Sequence, residues 1–162
     1  DDFEQILALG QRMRLESLIW YPEIDREYLY QNWQVTLSTP QKFCCIVAEN
    51  GSKLVGWLNG FESGFVFSPM RIAAHDIFYI APEHRDYRTA RGLVLAFVSW
   101  AEGLGLKRQV IRLDTALRPE KVDRFYRRLG FEPIGGQYIR DGGNLNHHCG
   151  DSGGGDARRR HL

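Results

Sequence analysis

The stretch that most constrains what this chain can fold into runs from Asp76 to Leu104, DIFYIAPEHRDYRTARGLVLAFVSWAEGL. Ile77, Phe78, Tyr79 and Ile80 are β-branched or aromatic and a proline follows closely, the pattern of a strand that stops. Leu93, Val94, Ala96, Phe97 and Trp100 then recur at the three- and four-residue spacing of one apolar helix face. Between the two lies His84-Arg85-Asp86-Tyr87-Arg88-Thr89, a short turn crowded with donors. A strand that turns directly into a helix gathers free N–H groups and the positive end of the helix dipole at one spot. Such a spot holds anions, so a phosphorylated cofactor handled by this chain is expected here. Arg85, Arg88 and Arg91 around a helix start oppose the dipole, a cost that a bound anion would relieve.

The flanking sequence supplies the rest of a mixed domain. Phe3 to Trp20 carries an imperfect apolar stripe of Phe3, Ile6, Leu7, Leu9, Met13 and Leu18 and is predicted helical. Asp25 is a suitable N-cap for a second helix through Leu37, with Pro40 ending it. Two strands, Phe43 to Glu49 and Lys53 to Phe61, flank Asn50-Gly51, a hairpin signal in which Ser52 makes the loop slightly longer than minimal. Gly64 to Pro69 reads as a linker or edge strand, and Arg71 to Ile80 as the strand entering the opening stretch. After the central helix, Gly103 and Gly105 provide a stop, and Gln109 to Asp114 reads as a strand. Strand, helix, strand in that order implies a parallel pair with a right-handed crossover. Pro119 suits the first turn of a short helix, Glu120 to Leu129, and Phe131 to Arg140 reads as a last strand interrupted by Gly135-Gly136. Residues 1–140 are therefore expected to form one domain, and the glycine-rich residues 141–162, closing on Arg158-Arg159-Arg160, a flexible tail.

Composition narrows the partners. With 21 Lys+Arg against 20 Asp+Glu, the net charge of +1 argues against a dedicated nucleic-acid binder. No apolar run reaches the length of a membrane span, and the opening DDFEQILALG does not read as a signal peptide. Adjacent Cys44 and Cys45 point to opposite faces of their strand, and with Cys149 they form no CxxC pair, so neither a disulfide framework nor a zinc site is expected. A reducing, cytoplasmic setting follows. In the tail, His147-His148-Cys149 with Asp151 reads as a loose polar cluster before a metal site. Trp20, Tyr21, Tyr28, Tyr30 and Trp33 read as core aromatics before an acceptor groove.

Two blocks carry a resemblance. Arg85-Asp86-Tyr87-Arg88-Thr89-Ala90 fits the frame Gln/Arg-x-x-Gly-x-Gly/Ala, behind the lead-in Ile80-Ala81-Pro82-Glu83-His84; Phe125-Tyr126-Arg127-Arg128-Leu129-Gly130-Phe131 fits Phe-Tyr-x-x-Leu-Gly-Phe. Correctly ordered and spaced, they resemble the GNAT superfamily of acetyl-CoA-dependent N-acyltransferases over residues 1–140. The opening Leu9-Gly10-Gln11-Arg12-Met13 also resembles members encoded in bacteriophage genomes. The resemblance implies an α/β fold: a mixed, mostly antiparallel sheet flanked by helices, splayed in a V between two central parallel strands. It departs from the family at two positions. Arg88 replaces the signature glycine, where it either obstructs the approach to phosphate or adds a charged contact. Pro119 replaces an asparagine that contacts pantetheine.

The resemblance also implies the roles. Backbone amides of Asp86, Tyr87, Arg88, Thr89, Ala90 and Arg91, with Arg85 ahead of them, would hold the pyrophosphate of acetyl-CoA; the strand Phe78, Tyr79, Ile80 would face the pantetheine arm. Tyr126 would protonate the departing thiolate. For the base that deprotonates a primary amine acceptor, Asp76 or a water chain is the expectation. Alternation places Asp76 on the face of Phe78 and Ile80, with His75 opposite and less favoured. No metal is expected. The rival expectation is a non-catalytic assembly protein with a degenerate cofactor site, and in either case a homo-oligomer or larger assembly that holds the tail.

Overall fold

The computed structural model describes residues 2–17, 22–112 and 117–135. Helix α1 spans Asp2–Glu16 and helix α2 Arg26–Ser38, with the Asp25 carboxylate accepting the Tyr28 N–H at 2.9 Å as the cap that the sequence predicts. Three strands follow, β1 (Phe43–Asn50), β2 (Lys53–Phe65) and β3 (Ser68–Ile80), then a 3-10 turn at Pro82–His84, helix α3 (Tyr87–Gly103), strand β4 (Gln109–Val110) and helix α4 (Pro119–Arg128). The sheet runs β1-β2-β3-β4, antiparallel except for the β3–β4 pair. This is the mixed, mostly antiparallel sheet flanked by helices expected from the sequence.

Local departures have local causes. Asn50 pairs with Lys53, so the first hairpin loop is the minimal Gly51-Ser52; Gly51 sits at φ +64 in the first central position, which a side chain would strain. The segment expected to be a linker or edge strand is the tip of a second, longer hairpin. Pairing of Ser63 with Ile72 and Gly64 with Arg71, and an Arg71–Glu62 ion pair at 3.1 Å, carry β2 on to Phe65 and start β3 at Ser68, ahead of Arg71. Helix α1 ends at Glu16, and Trp20 and Tyr21 lie outside the described residues. Residues 131–135 form no strand, and the remainder of that expected strand, like the tail with His147, His148 and Cys149, lies outside the described residues.

The sheet is covered on both faces. Leu58, Ala73 and Ile80 pack beneath Leu93, Val94, Phe97 and Ala101 of α3, while Leu54, Trp57 and Tyr79 pack beneath Ile6, Leu9 and Met13 of α1. Phe97 is fully buried, and truncating such a side chain to alanine typically costs about 3–5 kcal/mol. Gly60 lets α3 come this close: a Cβ there would lie 2.7 Å from the Phe97 ring and from Cys44 Sγ. Cys44 and Cys45 pack on opposite faces of the sheet, and burial pushes their thiols up to about 12 and about 11, so both stay protonated and non-nucleophilic near neutrality. On the α1 face the buried Phe3 meets Tyr30 and Trp33 at 5.0 and 5.3 Å between ring centres. Helix α2 buries no residue and both Tyr28 and Tyr30 are exposed, so the aromatic core expected of these residues is corrected to an aromatic rim around Phe3.

Candidate active site

The crossover after β3 is built as the sequence predicts, with its donors partly spoken for. Asp86 caps α3: one carboxylate oxygen accepts the Thr89 N–H at 2.8 Å and the other the Thr89 hydroxyl at 2.9 Å. Those bonds, led by the Thr89 N–H, hold its pKa below the usual carboxylate range. Arg85 folds back, its Nε donating to the Ile80 carbonyl at 2.7 Å, its Nη2 to Glu16 of α1 at 2.5 Å, and its guanidinium resting 5.4 Å from the Tyr79 ring centre. Tyr79 also donates to Glu16, at 2.5 Å, and burial followed by that bond raises its phenol pKa. Arg12 forks onto Glu83 at 2.9 and 2.7 Å and draws that carboxyl down to about 2. The last turns of α1 are thereby tied to the crossover at two points. Arg88 has no positive φ, because Arg118 is the one non-glycine residue with that geometry among the described residues. The signature glycine is thus not needed here for backbone conformation.

The parallel pairing that closes the sheet is short. Ala73 pairs with Gln109 and Ala74 with Val110, and then the Arg112 N–H turns to the imidazole of His75, donating to Nε2 at 2.8 Å. A side chain takes the place of the next backbone acceptor, so β4 stops at Val110 with Ile111 and Arg112 outside it, and Leu113 and Asp114 of the predicted strand lie outside the described residues. His75 is fully buried, and that burial pulls its pKa down to about 4, which keeps Nε2 an acceptor. Its ring stands 6.5 Å from Phe78, and Phe78 stands 6.4 Å from Tyr126.

That placement corrects the strand count. Ile77 pairs with Asn59 and His75 with the next residue, Gly60, leaving Asp76 as the extra residue of a β-bulge. Period-two alternation does not run through a bulge, so His75, expected on the opposite face, lies on the side of Phe78. The sharing of that face by Asp76 no longer follows from the count. Asp76 is exposed to solvent, yet enough protein surrounds its carboxyl that desolvation raises the pKa, against the pull of its own and the Ile77 backbone N–H groups.

Beyond the end of the parallel pairing opens a cleft of about 530 Å³. Phe78, Tyr79, Ile80, Pro82, Arg85, Asp86 and Ala90 line one wall; Arg112, Arg118, Lys121, Val122, Phe125 and Tyr126 line much of the other. Tyr126 is buried between Phe125 and Phe131, and its hydroxyl lies 3.5 Å from the Arg112 carbonyl that accepts from it. A capped helix start, the end of a strand and a buried phenol thus converge on one cleft. The profile of the acetyltransferase (GNAT) family matches residues 10–131. The chain belongs to that family.

Solved GNAT-fold structures agree in architecture. An acetyltransferase from Clostridium acetobutylicum with acetyl-CoA is 16% identical, with 86% of this chain and 90% of that one covered at a TM-score of 0.67. AAC(6')-Iy in complex with the bisubstrate analogue CoA-S-monomethyl-acetylneamine is 14% identical, with the same coverage and TM-score. A ribosomal-protein-alanine N-acetyltransferase from Brucella melitensis is 18% identical, covering 86% and 93% at 0.63. At these identities the likeness is one of fold. No curated protein matches the sequence.

Of the residues singled out in this GNAT chain, the cleft gathers Phe78, Tyr79, Ile80, Arg85, Asp86, Ala90 and Tyr126. Asp76, Tyr87, Arg88, Thr89 and Arg91 do not line it, and Tyr87 instead meets Phe125 edge-on at 5.9 Å. The side chain of Tyr79 belongs to the α1 face, so at the cleft it offers main chain. Arg112, Arg118 and Lys121 were missed. Their only sequence signal is basic residues around Pro119 at a helix start, weak on its own. Among the described residues no cluster of three His, Cys, Asp or Glu is placed to hold a metal, and no helix is long and apolar enough to cross a membrane.

Proposed function

We propose that this GNAT protein transfers the acetyl group of acetyl-CoA to a primary amine by direct attack in a ternary complex. The observation that carries the reading is the cleft itself, where β3 and β4 part, because it joins the α3 start to Tyr126 within one space. Its walls fit the cofactor chemically: four cations, Arg85, Arg112, Arg118 and Lys121, stand against one carboxylate, Asp86. Two fold relatives are complexes with the same ligand class, acetyl-CoA in one and a CoA-derived bisubstrate analogue in the other. The thioester supplies an activated acetyl group. In this scheme a water chain, or Asp76 reached through water since it does not line the cleft, takes a proton from the amine, a task that the raised pKa of Asp76 favours, and Tyr126 gives one to the departing thiol sulfur. Backbone from Asp86 to Arg91 and the main chain of Phe78 to Ile80 hold the cofactor. The acceptor is a small-molecule or peptide amine, and the setting is cytoplasmic.

One observation favours a second reading, a GNAT-fold assembly protein, virion-associated for example, with a degenerate site. The Asp86 carboxylate already occupies the Thr89 N–H and puts negative charge where pyrophosphate is expected. A thiol-release assay with acetyl-CoA over amines, peptides and aminoglycosides separates the two. Release dependent on one acceptor class is the expected result; none above the hydrolytic background across the panel, with binding intact, supports a non-catalytic role.

A further inference from the structure

We propose that the α4 wall of the cleft recognises a second anionic group of the cofactor, a phosphomonoester separate from the pyrophosphate expected at the α3 start. The proposal rests on the acetyl-CoA reading and adds to it residues that neither the signature motif nor the terminal motif contains. The two charged groups on the α3 side are committed within the protein: Arg85 to Glu16 and the Ile80 carbonyl, Asp86 to Thr89. The cations on the α4 side are not. Among the described residues Arg112, Arg118 and Lys121 make no ion pair, although other arginines, 12, 26, 71, 85 and 127 among them, do.

Three cations without an ion pair among the described residues, Arg112 of them also near Asp76, line one concavity and repel each other, a cost that an anion between them reverses. The backbone adds a second, independent reason. Arg118 adopts φ 50, ψ 55 as the N-cap residue of α4, a left-handed geometry that glycine or asparagine takes more easily. It makes no side-chain cap bond there. The backbone carbonyl of Arg118 accepts the Lys121 and Val122 N–H groups that open α4, so the left-handed geometry serves the helix start, while the side chain it carries neither caps nor pairs and lines the cleft. With Pro119 at the first helical position, the left-handed residue is followed by one of fixed φ, which fixes the direction in which the chain enters α4. A ligand that satisfies both walls bears two separate anionic groups. Coenzyme A, with a pyrophosphate and a ribose phosphomonoester, is such a ligand; dephospho-coenzyme A lacks the second.

Calorimetric titration of the full chain with each nucleotide, without any acceptor amine, tests this. The wild type is expected to bind coenzyme A about ten-fold or more tightly than dephospho-coenzyme A, the scale of a charge-assisted contact, with the steeper loss of affinity on added salt. The double variant Arg118→Gln/Lys121→Gln is expected to lose that difference, to keep the affinity of the wild type for dephospho-coenzyme A and to keep its unliganded melting temperature. Equal binding of the two nucleotides by the wild type overturns the proposal and leaves the acetyl-CoA reading standing, as does an equal loss for both in the double variant. The latter result would assign the wall to the shared pyrophosphate. If the variants bind both nucleotides as the wild type does, the cations serve an acidic acceptor instead and the proposal fails. Binding of neither nucleotide by the wild type overturns the proposal and the acetyl-CoA reading together.

Discussion

Tyr126→Phe is expected to lower turnover by about a hundred-fold or more while leaving the Kd for acetyl-CoA within about two-fold, the range typical of a lost general acid. The site makes this a clean substitution. The ring is held by Phe78, Phe125 and Phe131, and phenylalanine keeps all three contacts. The hydroxyl donates to the Arg112 carbonyl over 3.5 Å, and the melting temperature of the variant reads what its loss costs the fold. A fall in kcat without a matching fall in affinity would place the hydroxyl at the reacting atoms. Unchanged kcat removes Tyr126 from the chemistry, and a melting temperature that drops with kcat makes its role structural.

A second large effect is a loss of stability in acid that runs through His75. In the folded protein its pKa is about 4, against about 6.5 for a free imidazole, because the ring is buried, with the charge of Arg112 acting in the same direction. A depressed pKa means that the neutral ring favours folding fully above pH 6.5. That contribution declines as pH falls below 6.5 and is gone once pH passes the folded value near 4. For a group this buried, the full swing is about 3 kcal/mol. Asp76, whose pKa is raised, acts with opposite sign and trims the loss, since protonating it relieves a desolvated charge. Arg112 lies close enough to oppose a charge on His75. Chemical denaturation at pH 7 and pH 4.5 is expected to show this decline in the wild type. His75→Gln, which keeps an acceptor for Arg112, should flatten it. Equal pH dependence in both proteins would show that the decline arises elsewhere. Protonation of the folded ring would also remove the acceptor that replaces the next rung of the β3–β4 ladder, so cofactor affinity is expected to hold down to about pH 5 and to fall only as pH approaches the folded value near 4.

The fold was legible wherever one signal dominated. The Asp25 cap, the hairpin at Gly51 and the stripe on α3 each depend on a few neighbouring residues; the cap forms as the sequence predicts, the hairpin forms with a shorter loop than expected, and the stripe buries Leu93, Val94 and Phe97 while Ala96 is exposed. The strand-to-helix crossover was likewise readable, because apolar run, proline and helix stripe follow without interruption. Misreadings came where a distant group decides the outcome. The β2–β3 hairpin outruns its expected bounds because pairing and an Arg71–Glu62 ion pair support residues of weak strand character. The bulge at Asp76 is invisible to alternation, since it is set by how β3 meets Asn59 and Gly60 of β2. Strand β4 is short because a buried histidine claims the Arg112 N–H. Within the site, the motifs led to Tyr126 and to the α3 start. The basic α4 wall gave almost no warning, because a cation in sequence is ordinarily a solvated one, and only the fold places three of them around one cleft.

The central claim, that the cleft between β3 and α4 binds acetyl-CoA, is tested most directly by the melting temperature of the full chain at increasing cofactor concentration. The account predicts a rise that saturates, since a ligand bound only to the folded state stabilises it by about 2.7 kcal/mol at a hundred times its Kd. That rise should shrink in Arg118→Gln/Lys121→Gln. No shift at millimolar acetyl-CoA would contradict the account and leave the capped, Asp86-occupied helix start as the mark of a site that no longer binds cofactor.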